Sequence, residues 1–405
     1  MEEWKEYNIG NLCSKVCSGG TPSSRHSEYY DGNIPWLNTK EINFNRIYST
    51  EKCITEEGLN NSSAKWIEEN SVIVAMYGAT AGKAAIAKIP LTTNQACCNL
   101  TINSSLADYN FVYYHLCNKF TELASLANGG AQQNLNAQII KEFPIPLPSL
   151  NEQRKIASIL KSLDDKIEVN RRINDNLEQQ AQSLFKSWFV DFEPFKNGEF
   201  VESELGMIPK GWRVKDLADI AEISKVSINP QKQPNTVFKH YSIPSYDDGM
   251  KPEIQLGEEI KSNKFVIKNK MTLFSKLNPR IKRVWFVDNL EDDSICSTEF
   301  VPYYAKEKSM SLYLYSLINS QGFYDFVMSM VNGATGSHQR FHPEESLNYK
   351  IAYNDEGVCK YCRTITPILQ LMLDNRKESR RLATLRDTLL PKLMSGELKV
   401  NEVEI

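Results

Sequence analysis

The sequence predicts an α+β chain (mixed α/β): two similar domains in tandem, each followed by a long helix, with the two helices pairing as an antiparallel coiled coil. Three observations carry this. Two segments hold apolar residues at alternating steps of four and three over several heptads, the seam of a long packed helix. The segments before them, 1–148 and 210–358, repeat one order of strand, turn and aromatic stretch with a period of about 205 residues, a duplication of a whole unit. The polar interruptions of the two seams also fall opposite each other when the helices are laid antiparallel.

The first domain, 1–148, opens with Trp4 and a polar–apolar alternation to Ile9. It contains an apolar strand Val72–Met76, a turn from Gly78 to Lys83 and a second strand Ala84–Ala87. A helix-like aromatic stretch, Phe111 to Leu126, runs into an Asn128-Gly129 turn. Pro144, Pro146 and Pro148 bar a helix there. Ser149 with Glu152 is a capping box, which satisfies free N–H groups at a helix start. The first long helix is expected over 149–192, with its seam on Ile156, Leu160, Leu163, Ile167, Asn170, Asn174, Leu177, Ala181, Leu184 and Trp188. Over 149–190 it would be ~63 Å long. The aromatic cluster Phe185–Phe192 at its end is expected to pack on a domain or partner, and the acidic stretch Asp191–Glu204, net −4, marks a linker over 193–209.

The second domain, 210–358, repeats the pattern: Trp212, a strand Met271–Phe274, a turn from Ser275 to Lys282, a strand Arg283–Val287, an aromatic stretch Leu312–Met330 and an Asn332-Gly333 turn. The second long helix and tail occupy 359–405, where Thr366-Pro367 reads as an N-cap with proline in the first turn. Pro391 should kink or end its last turn. Its seam runs Ile365, Ile368, Met372, Asn375, Ser379, Leu382, Arg386, Leu389 and Leu393, with Arg386 the misfit. Laid antiparallel with paired numbers adding to 549, Ile156 faces Leu393, Asn170 faces Ser379 and Asn174 faces Asn375. A buried amide against leucine would go unpaired, so matched polar layers specify register. The alternative is that each seam packs only on its own domain.

Lys+Arg 47 against Asp+Glu 50 gives a net charge of −3. That excludes a histone-like binder working through bulk positive charge, but not a locally basic surface. Met1 to Lys5 is acidic without an apolar core, so no secretory signal is expected. The apolar stretch 71–91 is broken by Gly78, Gly82, Lys83 and Pro90, so no membrane span is expected either. Nine scattered cysteines imply reduced, buried thiols in a cytoplasm. Cys359 and Cys362 have metal-like spacing but no second pair nearby.

No catalytic constellation is visible. Gly78 to Ala84 resembles a phosphate-binding loop, but three residues rather than four separate its glycines and Ala84 follows the lysine. Asn229-Pro230 and Asn278-Pro279 lack the residues that would complete an amino-methyltransferase motif, and no HExxH zinc motif occurs. Five histidines leave general acid–base chemistry thinly supplied. Charge is more informative. Residues 261–287 carry Lys261, Lys264, Lys268, Lys270, Lys276, Arg280, Lys282 and Arg283 with no acid, a run able to follow a phosphate backbone. Asn278 adds a group able to bond base edges. In the first domain Thr80 and Lys83 hold the equivalent turn. After each Asn-Gly turn comes a polar loop, with Gln132, Gln133 and Asn134 in the first and His338, Gln339 and Arg340 in the second. Such amides can pair with adenine and arginine with guanine. The competing reading is a solvated hairpin and satisfied turns.

In combination these residues resemble the specificity (S) subunits of type I restriction-modification systems. The resemblance rests on Gly82-Lys83, Gly130 to Leu135, Ile145-Pro146-Leu147-Pro148 leading into Asn151 to Ile156, and Pro209-Lys210-Gly211-Trp212. Gly333 to Gly336, Gln339-Arg340-Phe341 and Leu385 to Leu398 complete it. It spans essentially the whole chain. One departure stands before the second helix, where Tyr353 to Thr366 replaces the Pro-Leu-Pro approach. The resemblance implies a non-catalytic, pseudo-two-fold symmetric subunit. Its two target recognition domains each read half of a bipartite sequence in double-stranded DNA, and its helix pair sets the spacer. It implies two methyltransferase (M) and two restriction–translocase (R) partners. S-adenosylmethionine and ATP with magnesium would be used by those partners, with no cofactor on this chain. The rivals are a two-domain scaffold that never touches DNA, and a specificity subunit of a related phage-defence methylation system.

Overall fold

Short apolar runs bounded by Gly, Asn and Pro become strands, and the two seams become helices of 40 residues each, Leu150–Phe189 and Asp355–Met394. The computed structural model describes residues 4–127, 134–288, 293–331 and 339–402. By internal contacts the chain divides into two units, residues 1–170 with 377–405, and residues 171–376. Both boundaries fall inside the long helices, so each unit holds one α/β domain and part of each helix.

In the first unit a five-stranded sheet runs Cys13–Ser18, Cys97–Ile102, Val72–Ala75, Ala84–Ala87, Asn45–Ile47 in spatial order. The two central apolar strands form an antiparallel hairpin with Val72 opposite Ile86 and Val74 opposite Ala84. Every residue of both strands is buried, which explains their unbroken apolar pattern. The aromatic stretch is two helices, Tyr109–Asn118 and Phe120–Ser125, broken at Lys119. Lys5–Asn8 pairs antiparallel with the proline-rich Pro144–Leu147. Proline tolerates such a two-stranded edge because it lacks only a donor. Ser149 Oγ then accepts from the Glu152 N–H at 3.3 Å, and the first long helix begins.

The second unit repeats this order. Met271–Ser275 is antiparallel to Val284–Val287, and its aromatic stretch is again two helices, Ser311–Ile318 and Gln321–Ser329. Arg213–Asp216 pairs with Lys350–Tyr353, and the next residue, Asn354, accepts the Gly357 N–H at 2.8 Å. The second long helix therefore begins at Asp355, ahead of both residue 359 and the expected Thr366-Pro367 start. Pro367 lies inside it, with the Thr366 hydroxyl bonded back to the Cys362 carbonyl at 2.6 Å, and Pro391 does not end it. The expected linker is also folded: Phe200–Ser203 and Gly206–Pro209 form an antiparallel hairpin. Phe192 and Ile208 join the core and Phe195 packs edge-on to Trp212 at 4.9 Å. The acidic side chains that suggested a linker sit on the exposed face.

Within each unit the long helices meet antiparallel. In the first, Ile156 and Leu160 share a core with Leu393 and Met394, and Asn170 Nδ2 donates to Ser379 Oγ at 3.3 Å and Glu378 Oε2 at 2.7 Å. The misfit Arg386 is accommodated by Asp164 at 2.7 Å. In the second, Asn375 Nδ2 donates to Asn174 Oδ1 at 3.0 Å, and Asn174 Nδ2 to the Met372 carbonyl at 3.1 Å. One detail differs from expectation. Phe185 and Phe189 are buried where Leu184 and Trp188 were expected, because a straight helix drifts about 20° per heptad from a strict seven-residue repeat. Among the described residues no helix is long and apolar enough to cross a membrane, and no cluster of three potential metal ligands occurs. The cysteines are free thiols, but only Cys97, Cys98 and Cys296 are buried; Cys359 is exposed and the other five are partly buried.

Candidate nucleic-acid interface

The two hairpin turns share one hydrogen-bond frame, 200 residues apart. Ala75 N–H donates to the Lys83 carbonyl at 2.9 Å, and Ser275 N–H to the Arg283 carbonyl at 3.0 Å. Ala81 N–H reaches the Gly78 carbonyl at 3.0 Å, and Ile281 N–H the Asn278 carbonyl at 3.0 Å. Gly78 and Asn278 both have positive φ, 74° and 48°. Apart from glycine, asparagine is among the few residues that enter this left-handed region readily. Met76 N–H bonds Ala96 at 2.8 Å and Lys276 N–H bonds Glu299 at 2.9 Å, so a neighbouring turn braces each loop in the same way. The frame is common, while the side chains on it differ.

In the first unit Thr80 closes the turn, its carbonyl accepting from Lys83 N–H at 2.9 Å. Lys83 Nζ donates to Asn43 Oδ1 at 2.7 Å and lies 5.7 Å from the Phe44 ring centre. Asn134 sits opposite Tyr77 in an isolated antiparallel bridge, and Leu135 N–H donates to the Met76 carbonyl at 2.8 Å. The structure thus brings Thr80, Lys83 and Asn134 to one edge. Gln132 and Gln133 lie outside the described residues.

In the second unit Asn278 N–H donates to the Gln339 carbonyl at 3.0 Å, joining the hairpin to the polar loop. Arg340 forks onto Glu299 with both N–O distances at 3.0 Å, and this exposed pair lies beside Lys276. Arg280 is exposed and Lys276 half-buried. The Gln339 side chain is 8% exposed, so the expectation of a base contact is corrected for it: its backbone holds the loop while its amide is packed inside. His338 lies outside the described residues. The other two cations of the run expected to touch DNA, Arg283 and Lys282, point elsewhere. Arg283 is 8% exposed and holds Asp247 bidentately at 2.7 and 2.8 Å. A buried guanidinium with its fork engaged has none to offer a phosphate, so the expectation of DNA contact is corrected for Arg283. The Lys282 ammonium donates to the Asn319 carbonyl, and burial lowers its pKa from the usual lysine value. Sequence reasoning missed Tyr77, 43% exposed, and Ile281, 56% exposed, both on the loop tips. Their signal was an apolar side chain in a Gly- or Pro-containing turn between buried strands. It also missed Glu299, the acid that holds Arg340.

Two α/β units on shared long helices, each presenting a braced polar hairpin loop, define a modular recognition protein without a visible catalytic centre among the described residues. Residues 1–179 match the family model described as type I restriction modification DNA specificity domain. The chain is 31% identical to the type I restriction enzyme MjaIX specificity subunit of Methanocaldococcus jannaschii, covering 99% of this chain and 98% of that one. It is 20% identical to the HindI specificity subunit of Haemophilus influenzae over 98% of this chain and all of that one. The solved S subunit from M. genitalium shares the fold, with a TM-score of 0.55 and 17% identity over 96% of both chains. The chain belongs to the family of type I restriction enzyme specificity subunits.

Proposed function

We propose that each unit reads one half of a bipartite sequence in double-stranded DNA through its hairpin loop and the adjoining polar loop, while the long helices set the spacer. The observation that carries this is one hydrogen-bond frame used twice with different side chains, as expected of a reader whose scaffold is constant and whose base contacts vary. In the first unit Asn134, with Gln132 and Gln133, offers amides for adenine edges, Thr80 a hydroxyl and Lys83 a phosphate contact. In the second, Arg280 and Arg340 suit guanine or phosphate, Lys276 phosphate, and Asn278 and His338 base edges. Arg340 would exchange Glu299 for DNA, a low-cost swap for an exposed pair.

The chemistry would belong to partners in the cytoplasm. Two M subunits methylate with S-adenosylmethionine, and two R subunits use ATP with magnesium. A gel shift with genomic fragments, with and without the M partner, tests the reading. Retardation that sharpens with M is expected, together with methylated bases in a bipartite pattern on single-molecule sequencing. Assembly with M but no DNA binding would leave a protein scaffold instead.

A further inference from the structure

Loop 276–282 of the second unit is fastened on four sides. Lys276 N–H bonds the Glu299 carbonyl at 2.9 Å, and Asn278 N–H the Gln339 carbonyl at 3.0 Å. The Tyr324 hydroxyl donates to the Arg280 carbonyl at 3.1 Å, and the Lys282 ammonium to the Asn319 carbonyl. The last of these uses a charged side chain aimed away from the loop tip. Asn319 is the C-cap of helix Ser311–Ile318, where spare carbonyls and the helix dipole attract a cation.

Asn319 leads on to the first long helix. Its side-chain amide donates to Glu178 Oε1, and the Tyr315 hydroxyl, one turn earlier, donates to Glu178 Oε2 at 2.8 Å. Tyr315 is 3% exposed, so this contact lies in the core. One carboxylate thus holds the end of a helix, and that end holds the lysine of the loop. Glu178 and Asp325 also attract the Lys282 ammonium from a distance. The first unit ties its loop back in a comparable way. Lys83 reaches Asn43, and three residues on Arg46 pairs with Asp165 of the same long helix at 2.5 Å.

We propose that Lys282, Asn319 and Glu178 form a latch that sets the pose of loop 276–282, making Glu178 and Lys282 positioning residues for half-site reading rather than DNA contacts. The proposal rests on the reading of this loop as a DNA-reading element. A cation on phosphate and a cation behind the loop differ in one measurable way. The first releases counterions when DNA binds and the second does not.

The experiment uses the full chain assembled with its M partner. The probe is a duplex carrying the bipartite site mapped by sequencing methylated bases. Affinity is followed against salt for that site and for mismatches in each half. Arg280→Gln is the reference contact and should reduce the salt slope by ~0.9. Lys282→Met and Glu178→Gln should leave the slope unchanged. They should reduce discrimination at the second half-site about tenfold, within the ~5–150-fold that one mismatched pair costs. Discrimination at the first half-site should stay as in the wild type, an internal control for folding. The latch is overturned if Lys282→Met lowers the slope as Arg280→Gln does, or if Glu178→Gln leaves second-half discrimination intact. A wild-type complex with no preference for either half would instead overturn the DNA-reading proposal itself.

Discussion

Replacing Asn375 by leucine removes one amide from the polar layer in the second unit's part of the helix pair. Asn375 is 8% exposed, and its Nδ2 donates to Asn174 Oδ1 at 3.0 Å. Leucine is similar in size but has no donor, so the Asn174 oxygen would face an isobutyl group. An unsatisfied buried polar group costs ~1–3 kcal/mol, whereas replacing both partners by apolar groups is close to neutral. Asn375→Leu should therefore destabilise this layer by ~2 kcal/mol, about a thirtyfold shift in its opening equilibrium. The double variant Asn174→Leu with Asn375→Leu should cost no more than half of this, so the coupling should exceed ~1 kcal/mol. A chain of two units has no single unfolding free energy, so the readout is hydrogen exchange of helix amides in 171–189 and 355–376. If the double variant costs the sum of the singles to within ~0.3 kcal/mol, the two amides do not act as a pair and the register argument fails.

Arg283→Met should destabilise strand Val284–Val287 by ~1–2 kcal/mol, the lower range because Asp247 is half exposed, and leave the salt slope of DNA binding unchanged. A slope reduced by ~0.9 would place Arg283 on phosphate after all. Inserting four helical residues between Asn170 and Asn174 adds ~6 Å and separates the polar layers. Methylation mapping should show a lengthened or lost spacer with the half-site bases retained, and altered half-sites with the old spacer would refute the ruler. His115, 1% exposed, bonds the Pro144 carbonyl through Nε2 at 3.0 Å, and burial pushes its imidazole down from 6.5 to about 4. Because the folded value lies below the unfolded one, the native state binds fewer protons. Its contribution is complete above pH 6.5 and is lost as pH falls toward 4. At ~1.4 kcal/mol per pH unit the loss totals ~3 kcal/mol. Amide exchange in Tyr109–Asn118 should quicken between pH 7 and 5 relative to His115→Gln, and identical profiles would contradict this.

Much of the fold was legible because its signals are local. The buried hairpin strands, the Ser149 cap and the polar layers of the seams all follow from spacing along a few turns or a few strand residues. Even the pairing of Asn174 with Asn375 was readable, since two periodic seams have few registers that match amide with amide. The start of the second helix was not, because Asn354 caps it without a Pro-rich approach and Pro367 is carried inside the helix.

The candidate site divides along the same line. Composition and order along the chain pointed to the hairpin turns and polar loops, and the resemblance of their motifs to known specificity subunits pointed to the class of protein. Only the tertiary structure decided which cations remain available there. Arg280 stays exposed, Arg283 is used up by Asp247, 36 residues away in sequence, and Lys282 by Asn319, 37 residues away. A charge run states how many charges are present but not which partners fold back to meet them. Those partners are set by long-range packing that leaves no periodic trace in the sequence.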